Sequence, residues 1–209
     1  MTLRLADHLA GGGALVMLNP RGGGVPESVT GVNALFIDRE GTGLTPADAA
    51  LMVARAARLG LYSVVRCDGT RTDELANCAG LSPDAVVLPQ LRSADEMETC
   101  LNALGPVPAI AQIETVEAVG SIEGFAAVPG PAAFLIGPND LAADMGYPGE
   151  AENPKVSEAV ERVARHLADM ERPFGLPTLD AAAREHWTAR GARLFYLTTP
   201  ALQGMAASA

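Results

Sequence analysis

The stretch AIAQIETVEAVGSIEGFAAVPGPAAFLIGPNDL, Ala109–Leu141, decides the architecture. It opens on an apolar run, Ala109–Glu114, that closes with a carboxylate. A segment long enough for a helix follows, Pro129, Gly130 and Pro131 interrupt the chain, and a second apolar run, Ala133–Pro138, leads into Asn139 and Asp140. Both runs are continuous rather than alternating, as expected of parallel strands covered on both faces. Strand and helix, with the next strand opening the repeat, make one βα unit.

The same unit repeats on either side. Ala14–Pro20, Ala34–Asp38, Ser63–Cys67, Ala85–Pro89, Pro173–Thr178 and Leu194–Thr199 are further short apolar runs bounded by Gly, Pro, Asn or Asp. Between them lie helical segments. Thr45 caps one, with Pro46 in its first position, Asp48 three residues after the cap, Ala50, Val53, Ala54 and Ala57 on its apolar side and Gly60 at its end. Ser93 precedes another, with Met97, Leu101 and Leu104 in register. Asn153 and Pro154 open the longest, where Val156, Val160, Val163, Leu167 and Met170 form an amphipathic stripe. The first unit is minimal: Arg21–Asn33 contains Gly22-Gly23-Gly24 and has room for barely two helical turns. Eight such units point to an α/β chain that forms one compact, parallel, eight-stranded (β/α)8 TIM barrel over residues 1–209. A doubly wound open sheet is the alternative that strand counting leaves open.

Composition narrows the class. The chain has 209 residues, 48% of them hydrophobic, so it has ample apolar surface to bury. Lys and Arg number 15 against 25 Asp and Glu, a formal charge of −10 with no basic run, which disfavours nucleic acid as a partner. No apolar run reaches the length of a membrane helix, and Met1–Ala10 does not read as a signal peptide, so no membrane partner and a cytoplasmic location are expected. Cys67, Cys78 and Cys100 are far apart in the chain and read as reduced structural thiols.

Charge collects at the ends of the expected strands. Asp38-Arg39-Glu40 follows the second, Arg66 ends the third, Glu114 the fifth, and Gly137-Pro138-Asn139-Asp140 continues the sixth. In an α/β barrel those ends form the mouth where chemistry is carried out. Glu114 and Asp140 could hold a hard divalent cation, and Arg66 could bind a carboxylate or a developing enolate. No Cys/His cluster competes for a softer metal. Asp68, Arg71 and Asp73 read as a solvated rim, and Trp187 and Tyr196 as core or interface residues.

The stretch QIETVEAV…GFAAVPGPAAFLIGPNDLAADMGYPG, Gln112–Gly149, closely resembles the HpcH/HpaI aldolase and citrate lyase β-chain superfamily. IDREG, Ile37–Gly41, is similar to that family's D-x-E element, and VVRCDGTRTDELA and VVLPQLRSADEME to its third- and fourth-strand regions. The resemblance implies a class II, divalent-metal-dependent aldolase or carbon–carbon lyase acting on a 2-oxo acid through pyruvate enolate chemistry. It implies Mg2+ or Mn2+ held by Glu114 and Asp140, and a 2-oxo acid or its enolate contacted by Arg66. It also implies substrate binding by Gln112 and by the backbone around Gly137, Pro138 and Asn139. Asp38 and Glu40 would organise water and the acid/base network.

Three departures accompany the resemblance. Where the aldolase branch has a catalytic histidine, this chain has Gly41, and the citrate lyase branch usually has an acidic residue there. His166 and His186 fall on outer helices, and His8 is too near the N-terminus to place. The long basic loop that aldolases carry after strand four is missing, and only Pro200–Ala209 follow the last run, where relatives join subunits through a longer helical segment. An open mouth and a homo-oligomer of different assembly are therefore expected. Two further readings stay open: a citrate-lyase-like enzyme acting on malyl- or citramalyl-CoA, and a metal- and carboxylate-binding barrel without catalysis.

Overall fold

All eight expected runs are strands, within a residue or two at each end: β1 (Leu15–Asn19), β2 (Ala34–Asp38), β3 (Tyr62–Arg66), β4 (Ala85–Leu88), β5 (Ala109–Ile113), β6 (Ala133–Ile136), β7 (Phe174–Pro177) and β8 (Leu194–Thr198). The computed structural model of the chain describes residues 4–20 and 30–198. The glycine-rich stretch Arg21–Gly24 and the segment Pro200–Ala209 lie outside the described residues. Each strand pairs in parallel with the next, and β8 pairs with β1 from Leu15↔Leu194 to Asn19↔Thr198. The sheet is a closed barrel, which settles the choice against an open one.

Strand side chains alternate between two cores. Those facing outward, such as Leu35, Ile37, Val65, Val86 and Leu88, are buried under the helices. Those facing inward make a separate cluster of Met17, Phe36, Val64, Val87, Ile110 and Leu135, with small Ala34, Ala85 and Ala133. The short helix α1 (Leu5–Ala10) closes the base by adding Leu5 and Leu9 to that inner cluster. The interior thus runs from apolar at the base to polar at the opposite end, where Asn19, Asp38, Arg66 and Gln112 continue the same inward-facing rows.

The outer ring comprises α2 (Pro46–Arg58), α3 (Thr72–Gly80), α4 (Ala94–Leu104), α5 (Val116–Gly120), α6 (Ile122–Ala127), α7 (Pro138–Asp144), α8 (Pro154–Asp169) and α9 (Ala181–Thr188). The Thr45 hydroxyl caps α2 by accepting from the Asp48 amide at 3.2 Å, and Ser93 caps α4 by accepting from Glu96 at 3.1 Å. Such caps are each worth about 1 kcal/mol. The buried side of α2 is Ala49 and Ala56, with Met52 and Val53 packed against the core, so the expected Ala50, Ala54 and Ala57 face is rotated away. Alanines occur all around this helix and carry little burial energy, so the larger Met52 and Val53 set the face. The stripe on α8 is buried from Val156 to Leu167 but stops there. Met170 is the C-cap and is exposed, because the helix ends before another turn can carry it inward. Among the described residues no helix is long and apolar enough to cross a membrane.

Candidate functional site

The polar end of the barrel holds a cavity of about 290 Å3, lined by Arg66, Gln112, residues Gly137 to Asp140, Thr178 and Tyr196 among others. Its most constrained member is Arg66. Asp38 and Arg66 end neighbouring strands as register partners, and Arg66 Nε and Nη2 each donate to one Asp38 carboxylate oxygen at 2.8 Å. Arg66 Nη1 reaches Glu40 Oε2 at 2.7 Å. A guanidinium has five N–H groups, so two remain after these three contacts. Phe36, two residues before Asp38 on the same face, lies 5.7 Å from the guanidinium carbon. Burial works against the charge on Arg66, but hydrogen bonding to Asp38 and the charges of Asp38, Glu40 and Glu114 outweigh it and raise its pKa.

Glu114 follows β5 and is completely buried. Its Oε1 accepts from the Gln90 amide at 2.8 Å, and its Oε2 accepts from the Gln112 side-chain amide. Gln90 has a φ of 55°, an uncommon conformation for a residue with a side chain, and this aims its N–H at the carboxylate. Burial pushes Glu114 up to about 8. The Gln90 N–H opposes that shift, and the neighbouring charges of Asp140 and Glu40 add to it. Glu40 is also pushed up by burial, with Arg66 opposing.

Oxygens of Glu40, Glu114 and Asp140 all lie within 4.8 Å of one another. Carboxylates this close repel unless a proton or a cation is shared among them. Their all-oxygen chemistry fits a hard divalent ion such as Mg2+ or Mn2+. Gln112 Oε1, which lies in the same cavity wall, is buried and has no hydrogen-bond partner among the described residues. Gly137 makes the packing possible: a Cβ there would stand 2.6 Å from Glu114 Oε2 and 2.9 Å from its Cβ.

The expected residues therefore come together, with differences in detail. Glu40, read as an organiser of water, is also close enough to Glu114 and Asp140 to be a third oxygen donor. The Gly137 amide, expected to receive a substrate carboxylate, instead donates to Ile113 O at 3.0 Å across the β5–β6 ladder. Pro138 has no N–H. The amides of Asn139 and Asp140 remain, in the first turn of α7, where a helix supplies no backbone acceptor of its own.

Tyr196 was expected in the core or an interface, yet it lines the cavity. Its hydroxyl accepts from Asn19 Nδ2, and the same nitrogen reaches Asp38 Oδ2 at 3.4 Å. Gln90, Asn19 and Thr178 were not singled out by sequence. Gln90 and Asn19 close the β4 and β1 runs, and strand-end position was the available signal for both. Trp187 does pack against the outer core.

The fold also corrects the view that cysteines form no cluster. Cys67, Glu74 and Cys78 converge in the outer core. A cation already occupies that group, because the Arg39 guanidinium donates to Glu74 and to Cys78 Sγ, the latter at 3.3 Å. The hydrogen bond with Cys78 and burial push the Cys67 thiol up, away from the thiolate that a metal needs. None of the three histidines reaches the mouth: His8 binds Ala14 O at the base, and His166 and His186 sit on α8 and α9. Gly41 has a φ of 61°, its amide donates to Asp68, and no described atom lies within 4 Å of where a Cβ would point.

Comparison with known proteins agrees with the barrel fold. The family model described as HpcH/HpaI aldolase/citrate lyase matches residues 30–194. A pyruvate aldolase of Rhizobium etli is 38% identical over 93 residues, covering 44% of this chain and 34% of that protein. A hydroxypyruvate/pyruvate aldolase of Sagittula stellata is 24% identical over 180 residues, covering 72% of this chain and 71% of that protein. The chain thus spans about a third of the first relative's length and under three quarters of the second's. Among solved structures, an HpcH/HpaI aldolase/citrate lyase family protein from Burkholderia cenocepacia superposes with a TM-score of 0.86 at 22% identity, covering 99% of this chain and 96% of that one. At that identity the match speaks to the fold.

Proposed function

The chain belongs to the HpcH/HpaI aldolase/citrate lyase family, and on that premise we propose that it is a divalent-metal-dependent aldolase. Its reaction makes or breaks a carbon–carbon bond to the enolate carbon of a 2-oxo acid such as pyruvate. The observation that carries this reading is the convergence of Glu40, Glu114 and Asp140 beside the Arg66 guanidinium. Glu114 and Asp140 hold the ion, with Glu40 positioned to complete the set directly or through water. A bound Mg2+ or Mn2+ supplies a Lewis acid that withdraws electrons from the ketone.

The chain's own groups do the rest. Arg66 turns its two remaining N–H groups toward the oxygen that gains charge as the enolate forms, a donor pair fixed before the reaction begins. Asp38 and Glu40 hold that guanidinium in one orientation from two sides, and Phe36 supports it from below. The Asn139 and Asp140 amides receive the substrate carboxylate. Gln112 and the Gln90 amide fix Glu114, leaving it one conformation. The cavity of about 290 Å3 suits a three-carbon acid with a short partner.

Glu114→Ala and Asp140→Ala are each expected to abolish Mg2+- or Mn2+-dependent release of pyruvate from an aldol adduct. Unchanged turnover in both variants would reject the proposal.

A further inference from the structure

An aldol step needs two kinds of proton handling. One concerns the carbon that becomes the enolate; the other concerns the oxygen of the aldehyde acceptor, which becomes a hydroxyl as the bond forms. The groups already described serve the first. Asp38 and Glu40 are tied to Arg66, Glu114 and Asp140 belong to the acidic cluster, and every histidine lies away from the mouth. Besides the Asn139 side-chain amide, the remaining polar side chains among the described lining residues are the hydroxyls of Thr178, Tyr196 and Thr198, on the β7–β8 side. Of these only tyrosine is a phenol, which is a far stronger acid than an aliphatic alcohol.

The position of Tyr196 is built rather than incidental. Its ring stands edge-on to Phe36, with centroids 4.7 Å apart, on the aromatic residue that also supports Arg66. Its oxygen accepts from Asn19 Nδ2. The orientation of that amide follows from chemistry, because an ionised Asp38 can only accept and so must face the nitrogen. With its oxygen accepting from Asn19, the Tyr196 O–H is left to donate, and the structure gives it no acceptor among the described residues. Beside it, Thr178 Oγ1 is buried and likewise has no partner. The Tyr196 hydroxyl, left to donate on a residue that lines the same cavity as Arg66, calls for a ligand oxygen.

We propose that Tyr196 is a catalytic residue that donates its hydroxyl proton to the carbonyl oxygen of a short, uncharged aldehyde seated against Thr178. The assignment rests on the enolate reading above. In the addition direction the enolate carbon attacks the aldehyde carbon and one carbon–carbon bond forms. The carbonyl π pair moves onto oxygen, that oxygen takes the Tyr196 proton, and solvent returns a proton to the phenolate. Cleavage reverses each transfer. The acceptor is uncharged because Arg66, the one cationic residue among the described lining residues, already faces two carboxylates.

The test is Tyr196→Phe, which keeps the ring on Phe36 and removes only the hydroxyl. With Mn2+, pyruvate and glycolaldehyde as probes, two rates are followed by NMR in D2O: exchange of the pyruvate methyl protons, and formation of the adduct. The expected result is adduct formation reduced about 100-fold or more while exchange stays within about twofold, the scale of a lost general acid. Pyruvate affinity measured by calorimetry with Mn2+ should not change. Adduct formation at the unmodified rate, or both rates falling together, would overturn the assignment. An unmodified protein that exchanges pyruvate protons but adds to no short aldehyde would overturn it too, while sparing the enolate reading. An unmodified protein that does neither would remove that reading and this proposal with it.

Discussion

Asp38 and Arg66 are register partners at the ends of β2 and β3, and their side chains close a two-bond fork of 2.8 Å on each arm. Backbone pairing fixes the spacing of the two Cα atoms, so the fork takes its geometry from the barrel rather than from a loop. Lysine cannot reproduce it, being a single point donor. Arg66→Lys is expected to lower stability by about 1–3 kcal/mol in urea unfolding, the cost of charged hydrogen bonds in a partly buried site. It should reduce turnover much more than it weakens metal binding.

Arg39, between Asp38 and Glu40 in sequence, points the opposite way into the outer core and pairs with buried Glu74. Glu74→Ala leaves a guanidinium buried without its carboxylate. The expected loss is about 3–5 kcal/mol, read from the urea midpoint. Since this pair anchors the turn carrying Glu40, the variant should also bind Mn2+ more weakly than the unmodified chain.

Glu114 makes the metal-free protein sensitive to pH. Its folded pKa is about 8, above the ordinary value of 4.5. Below 4.5 the carboxyl is protonated in both folded and unfolded chains and costs nothing. Between 4.5 and 8 the unfolded chain ionises first, so stability falls as pH rises, and above 8 this contribution levels off. Thermal melting without metal should show that decline, and Glu114→Gln should flatten it. Added Mn2+ should raise the midpoint more at pH 8 than at pH 6, because the cation binds the deprotonated form.

Gly137 tests the packing of the same carboxylate. Gly137→Ala places a methyl group 2.6 Å from Glu114 Oε2, closer than any ordinary contact. The φ of Gly137 is −105°, outside the left-handed region, so the effect is steric. Stability should fall by about 1–3 kcal/mol, as for overpacked cores. Calorimetry should show weakened Mn2+ binding.

Much of this was legible in the sequence because strand ends in a closed parallel barrel must converge. Asp38, Arg66, Glu114 and Asp140 are the last residues of apolar runs or follow them closely, so recognising the runs located the mouth. Tyr196 was hidden because it looks like any aromatic within an apolar strand. Its inward direction depends on the register of β8 against β1, which no local pattern encodes. Gln90 holds Glu114 through a backbone N–H, and Gly137 admits that carboxylate through the room it leaves, two contributions that side-chain chemistry does not announce. The meeting of Cys67, Glu74 and Cys78 joins the end of β3 to successive turns of α3, whose buried face could not be told from spacing alone.

The central claim is that the acidic cluster and Arg66 turn a 2-oxo acid into an enolate. The most direct measurement is exchange of pyruvate's methyl protons in D2O, with Mn2+ or Mg2+ and with chelator, for the unmodified chain and for Glu114→Ala. The expected result is exchange well above background that depends on the metal and disappears with chelator or with Glu114→Ala. Background exchange in the unmodified chain under every condition, with pyruvate and Mn2+ both bound, would contradict it and leave a binding barrel without catalysis.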